Sequence, residues 1–150
     1  MSTVLLRDRH RVVTVIAIAM LVSVGVYWVV VELIARLQTR TYPFPGEVRV
    51  GYLAFAVGVI VASAASIVRR SMLAGGPADT DAGARIQVAS VVTFALAEIP
   101  AVLGVTAFLM TGLREAAYPL FVVAVAAHAV YFPRWSQWEE WAQAGPSTRR

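Results

Sequence analysis

One acidic residue, Glu98, lies inside a long apolar stretch of the sequence and is the residue best placed to do chemistry. The nearest charged residues, Arg85 and Arg114, are several helical turns away. An acidic side chain at the centre of a bilayer costs about 2.5–3.5 kcal/mol on insertion scales, so it normally faces protein and has a function. Because desolvation disfavours an ionised carboxyl group, Glu98 is a candidate proton-binding residue. The alternative is a neutral acid that forms one structural hydrogen bond between helices.

Two polar residues on neighbouring apolar stretches are candidate partners of Glu98. Ser63 is expected near the same depth, and His128 is expected about 6 Å to the cytoplasmic side at the helical rise per residue. A Glu98–His128 pair would form a proton relay, because histidine titrates near neutrality. The alternatives are a histidine hydrogen-bonded locally and a serine bonded to its own backbone. Pro100 removes a backbone donor and predicts a helix kink beside Glu98.

The composition excludes several classes of function. With 59% hydrophobic residues, 15% charged residues and a mean hydropathy of +0.69, the chain is not a water-soluble domain. The absence of cysteine removes disulfides, thiolate metal sites and cysteine nucleophiles. We therefore expect no metal, no cofactor and, because no nucleophile motif is present, no enzymatic activity. The net charge of +4 is spread between apolar stretches, which argues against a nucleic-acid partner.

Four apolar stretches are long enough to cross a bilayer, which takes about 20 helical residues. They are predicted at residues 12–37, 50–73, 84–111 and 116–132, within one transmembrane domain of residues 1–135. Helices are expected because unpaired backbone groups in lipid are costly. The predicted fold is all-α: a polytopic membrane protein with four transmembrane helices in an up-down bundle. Residues 136–150 are predicted to form a short interfacial helix and tail, and Pro43 and Pro45 predict an ordered, non-helical lip in the first loop.

The charges and tryptophans predict how the chain lies in the membrane. All 13 cationic residues are arginines, and nine of them lie in the N-terminus, the second loop and the tail. The positive-inside rule then predicts an inner-membrane protein with both termini in the cytoplasm. Trp135, Trp138 and Trp141 are predicted to anchor the C-terminal helix at the bilayer interface, and the alternative is that they dock a partner protein.

Small residues recur every four positions on the second predicted helix, at Ala54, Gly58, Ala62 and Ser66. The third helix carries Ala97 and Ala101 at the same spacing. Small side chains allow helix backbones to approach closely. The pattern therefore predicts tight packing of these helices, either with each other or between copies of the chain.

Helices two and three resemble the hairpin of the proteolipid c subunit of rotary ATP synthases and vacuolar-type ATPases. The matching features are the small-residue helix, a polar loop ending in Arg85, and the Glu98-Ile-Pro100-Ala-Val-Leu-Gly104 segment. The resemblance implies a cytoplasmic loop and gives Glu98 the role of the ion-carrying carboxyl group. In this chain one further helix precedes the hairpin and another follows it.

The leading hypothesis is a small inner-membrane protein that self-associates and presents Glu98 as a protonatable site. Sodium would need more oxygen ligands than the neighbours Ala97 and Ile99 supply, so the expected ion is a proton. One alternative is a structural or assembly subunit of a larger membrane complex. Another is a small proton-coupled transporter. The expected partners are the lipid bilayer and either further copies of the chain or the subunits of such a complex.

Overall fold

The computed structural model describes residues 3–37, 42–74 and 81–143, and every regular element in these ranges is an α-helix. Side chains are described over residues 5–37, 42–74 and 81–140. The helices are α1 (Thr3–Leu37), α2 (Val48–Ala74), α3 (Ala82–Thr111), α4 (Arg114–Tyr131) and α5 (Trp135–Gln143). The predicted all-α class is confirmed, and residues 144–150 of the predicted tail lie outside the described residues.

Three helices, α1, α2 and α3, are long and apolar enough to cross a membrane. This is compatible with a multi-pass membrane protein. Within the described chain α4 is not in this set, because its 18 residues begin with Arg114 and Glu115 and include His128. At 1.5 Å per residue α4 is about 27 Å long.

The helix α3 is the centre of the bundle and contacts each of the other four helices. The helix α4 contacts α1, α2 and α3, whereas the backbones of α1 and α2 do not approach each other within the described residues. The helices α1 and α2 therefore lie on opposite sides of the α3–α4 pair. This differs from a simple up-down bundle, in which consecutive helices are neighbours.

Small residues bring α2 close to α3 and α4 of the same chain. A Cβ atom added at Gly58 would lie 2.5 Å from Cδ2 of Leu120 and 3.4 Å from Cβ of Pro100. Ala97 and Ala101 are fully buried, and the other members of the predicted stripe, Ala54, Ala62 and Ser66, are half-buried. The predicted close packing of α2 and α3 is thus present within one chain, and packing between copies stays a prediction.

The segment 42–47 forms an ordered lip against the end of α3. The backbone N–H of Phe44 donates to the carbonyl of Met110 at 2.9 Å, and that of Gly46 donates to the carbonyl of Thr111 at 3.0 Å. These bonds satisfy carbonyl groups that have no partner inside the helix. The helix stops at Gly112, which has a φ of +75° and supports the ring of Tyr42. The predicted lip is confirmed for these residues.

The opposite end of the bundle is filled by α5. Trp138 is 1% exposed and belongs to an apolar cluster that includes Leu6, Val13 and Phe94. Its side chain therefore lies in the core and is not on the lipid-facing surface that the anchor prediction requires. Trp135 packs half-buried against the same cluster, and the side chain of Trp141 lies outside the described part of the chain.

The helix α1 begins earlier than the apolar stretch because its first turns also pack. Leu6 and Val13 are seven residues apart and both buried, so they share one helix face. Arg9 forms an ion pair with Asp81 at 2.7 Å, and Asp81 also accepts a bond from the N–H of Gly83 at the start of α3. Hydropathy alone detects the apolar residues from position 12 onwards, so it does not predict the polar first turns of α1.

Two glycines allow a matched test of the packing. A Cβ added at Gly104 would lie 3.1 Å from the backbone oxygen of Ala117, whereas one added at Gly25 would meet no atom within 4 Å. We expect Gly104→Ala to destabilise the protein by about 1–3 kcal/mol through overpacking. Gly25→Ala should stabilise it by about 0.5–1 kcal/mol, because alanine is the better helix former. Thermal unfolding in detergent, followed by circular dichroism, measures both, and equal midpoint changes would contradict this packing.

Candidate proton-binding site

Glu98 lies near the middle of α3. Glu98 is about 24 Å from the first residue of α3 and about 20 Å from the last, at the rise of an α-helix. The helix α3 continues through Pro100, which is buried beside Gly58. Because proline has no N–H, the carbonyl of Leu96 receives no helical hydrogen bond from it. The predicted kink at Pro100 stays a prediction.

Two hydroxyl groups of α1 hold the Glu98 carboxyl group. Tyr27 donates to Oε1 of Glu98 at 3.1 Å, and Ser23 forms a short hydrogen bond with the same oxygen. Ser23 and Tyr27 are four residues apart and therefore lie on one face of α1. Glu98 is half-buried between the two helices. The carboxyl group thus forms a polar contact between α1 and the middle of α3.

The hydroxyl group of Ser23 has a second partner. Its oxygen is also 2.6 Å from the backbone carbonyl of Met20. A serine hydroxyl carries one proton and can accept through its lone pairs, and the position of that proton is not fixed by the heavy atoms. Ser23 can therefore donate either to Met20 or to Glu98, and it can accept from Glu98 while it donates to Met20.

The two predicted partners of Glu98 lie elsewhere. Ser63 is exposed on α2, and its carbonyl accepts a bond from Ser66. His128 is buried, with Nδ1 2.9 Å from the carbonyl oxygen of Ala124 and its ring stacked on Phe94 at 6.0 Å. Within the described side chains, neither Ser63 nor His128 is hydrogen-bonded to Glu98. The structure brings Glu98 together with α1 instead.

Sequence reasoning missed Ser23 and Tyr27 although a signal was present. Both are polar-ended residues near the middle of the first apolar stretch, at a spacing of four. A serine and a tyrosine are ordinary in a membrane helix, however, and several other hydroxyl groups occur at similar depth. Choosing between them requires knowing which helix packs against the Glu98 face of α3.

A second carboxyl group, Glu32, joins α1 to α4 near the other end of α1. Oε2 of Glu32 is 3.2 Å from Nη1 of Arg114, and Tyr118 donates to Oε1. The ring of Trp28 lies against Tyr118, with 5.9 Å between the ring centroids. This cluster contains a cation, whereas no ion pair to Glu98 is present among the described side chains.

Neither a metal-binding group nor a known relative identifies this site. The part of the chain that the structure describes contains no group of three or more His, Asp or Glu residues that could hold a metal ion. Comparison with protein-family models, with curated proteins and with solved structures gave no match to this chain. The function must therefore be argued from the geometry around Glu98.

The hydrogen bond from Tyr27 can be tested with a double-mutant cycle. We expect Tyr27→Phe to reduce stability by about 0.6 kcal/mol, the average for hydrogen bonds between membrane helices, and by no more than about 1.7 kcal/mol. In a Glu98→Ala background the same change should have almost no effect, because the acceptor is gone. The exposed Tyr52 supplies the matched control Tyr52→Phe. Reversible unfolding in mixed micelles measures all four variants, and equal losses in both backgrounds would show that the bond is not formed.

Proposed function

We propose that this chain is a multi-pass integral membrane protein in which Glu98 binds and releases a proton inside the bundle. In this proposal α4 is the fourth transmembrane helix, since it packs against the other three long helices. Both termini lie in the cytoplasm, on the side favoured by the arginine distribution. The chain carries out no covalent chemistry.

The observation that carries the proposal is that the Ser23 hydroxyl lies within hydrogen-bonding distance of two groups, the carbonyl of Met20 and the carboxyl group of Glu98. When Glu98 is protonated, its hydroxyl donates to Ser23, and Ser23 donates to the carbonyl of Met20. When Glu98 is ionised, rotation of the Ser23 hydroxyl redirects its proton to the carboxylate, and Tyr27 donates in both states. A change of charge then requires rotation of a hydroxyl group and no movement of a helix.

The resemblance to proteolipid c subunits supports the same assignment for Glu98. The close approach of Gly58 to Pro100 is consistent with a small-residue hairpin of α2 and α3. The partners of Glu98, however, come from α1, a helix outside that hairpin. The proposal therefore gives proton binding to the single chain, and self-association of the kind found in proteolipid rings is an additional prediction of the resemblance.

A structural role is the second candidate, and the same two hydrogen bonds favour it. Hydroxyl donors from α1 would tie it to α3 whether or not the charge of Glu98 changes. In that case Glu98→Gln, which keeps an acceptor oxygen, should preserve folding and Glu98→Ala should weaken it. The two candidate functions differ in whether the protonation of Glu98 changes with pH.

Carbodiimide labelling distinguishes them, because these reagents modify protonated carboxyl groups. We expect Glu98 to be labelled, with labelling that falls as pH rises and the proton is released. Ser23→Ala should extend labelling to higher pH, because the hydrogen bond that Ser23 donates to the ionised carboxylate is stronger than the one it accepts from the neutral acid. Peptide mapping by mass spectrometry locates the label, and Glu98→Gln is the matched control.

Exposed carboxyl groups provide an internal reference in the same experiment. Glu47 and Glu115 are exposed, and their labelling should not respond to Ser23→Ala. An absence of label on Glu98 at every pH, or an unchanged pH profile in Ser23→Ala, would overturn the proton-binding proposal. A profile for Glu98 that does not vary with pH would favour the structural role.

A further inference from the structure

An apolar groove of about 570 Å³ runs along the outside of the bundle between α1 and α4. Its walls include Leu21 and Trp28 of α1 and Val122 and Val125 of α4, and Gly25 forms its floor. A second depression of about 400 Å³ is lined by residues of α1 alone; it shares Gly25 and Trp28 with the groove and includes Arg36. From Leu21 to Arg36 the two extend about 22 Å along α1, which is a suitable length for an acyl chain.

The floor of this groove is open because of Gly25. A Cβ atom there would have no neighbour within 4 Å, so no side chain of the bundle fills the space. One wall is Trp28, which is 54% exposed and lies against Tyr118 of α4. An apolar groove that faces the hydrocarbon layer is favourable for a lipid tail and unfavourable for water.

The adjoining depression on α1, which contains Glu32 and Arg36, carries an excess of positive charge. Both carboxylate oxygens of Glu32 are occupied, one by Arg114 and one by Tyr118. Arg36 makes no ion pair within 4 Å in the described part of the chain. Two guanidinium groups, those of Arg36 and Arg114, therefore lie near the single carboxylate of Glu32. Guanidinium groups bind phosphate oxygens through paired N–H donors.

We propose that the α1–α4 groove binds one anionic phospholipid, with an acyl chain over Gly25 and the phosphate at Arg36, beside the Glu32–Arg114 ion pair. The other groove beside α4 provides a contrast within the same molecule. It holds about 500 Å³ between α2 and α4, with apolar walls that include Gly51 and Phe55, but its rim carries Glu115. Charge complementarity favours an anionic lipid in the first groove and disfavours it in the second.

The test is lipid retention by the purified full chain, measured by native mass spectrometry. The protein is equilibrated with equal amounts of phosphatidylglycerol and phosphatidylcholine that have identical acyl chains. We expect one retained lipid, with phosphatidylglycerol preferred about five-fold, the effect of roughly one arginine at a charged lipid surface. Equal retention of the two lipids by the unmodified protein would overturn the proposal.

Three variants separate the headgroup contact from the acyl-chain contact. Arg36→Gln should remove the preference but keep a retained lipid, whereas Gly25→Leu should fill the floor and remove the retained lipid. Arg49→Gln, at an arginine outside the groove whose side chain is 90% exposed, should change neither. Circular dichroism checks that each variant is folded, and the space at Gly25 gives no steric reason for misfolding.

The alternative occupants give different results. Should Gly25→Leu alter the oligomeric state while lipid retention is unchanged, the groove is a contact between copies of the chain and the proposal is wrong. The inference does not depend on the protonation of Glu98, so Glu98→Gln should keep the phosphatidylglycerol preference. Failure of one proposal is therefore distinguishable from failure of the other.

Discussion

A carboxyl group inside a bundle of apolar helices must be hydrogen-bonded, because no bulk water is available to solvate it. In this protein the requirement falls on Glu98, and Ser23 and Tyr27 of α1 satisfy it. The contact fixes which face of α3 lies against α1. In the same arrangement α1 packs on α3 and α4, and its backbone does not approach that of α2 within the described residues. The helix order in space therefore differs from the order in the chain.

The other faces of α3 are organised by size instead of polarity. Gly58 of α2 approaches Pro100, and Gly104 approaches the backbone of Ala117. Small residues at these points let the helices come within van der Waals contact of each other, which is the main source of association where lipid competes for apolar surface. If the small residues of α2 packed against another copy of the chain, that contact would compete with their packing inside the same chain. The structure thus separates a hydrogen-bonded face of α3 from a close-packed one.

The sequence predicts the elements better than it predicts their partners. The bounds of α2 and α3 differ by two residues or fewer from the predicted stretches 50–73 and 84–111, because hydropathy changes sharply at both ends of each. Changes in hydropathy along the sequence do not predict the start of α1 or the burial of Trp138. Both depend on a cluster formed by distant segments, since Trp138 packs against Leu6. Depth along a helix likewise favoured Ser63 as the partner of Glu98, and only the packing of α1 on α3 identifies Ser23 instead.

The two carboxyl groups that join α1 to its neighbours differ in a way that bears on function. Glu32 accepts from a tyrosine and also faces Arg114, so its negative charge is compensated by a cation. Glu98 accepts from Tyr27 and from Ser23, and no ion pair to it is present in the described part of the chain. A compensated carboxylate favours one charge state. A carboxyl group held by a tyrosine and by a serine that can redirect its own proton has donors for the ionised form and an acceptor for the neutral form. This difference in partners, more than the depth of Glu98, is the reason we propose proton exchange at Glu98 and not at Glu32.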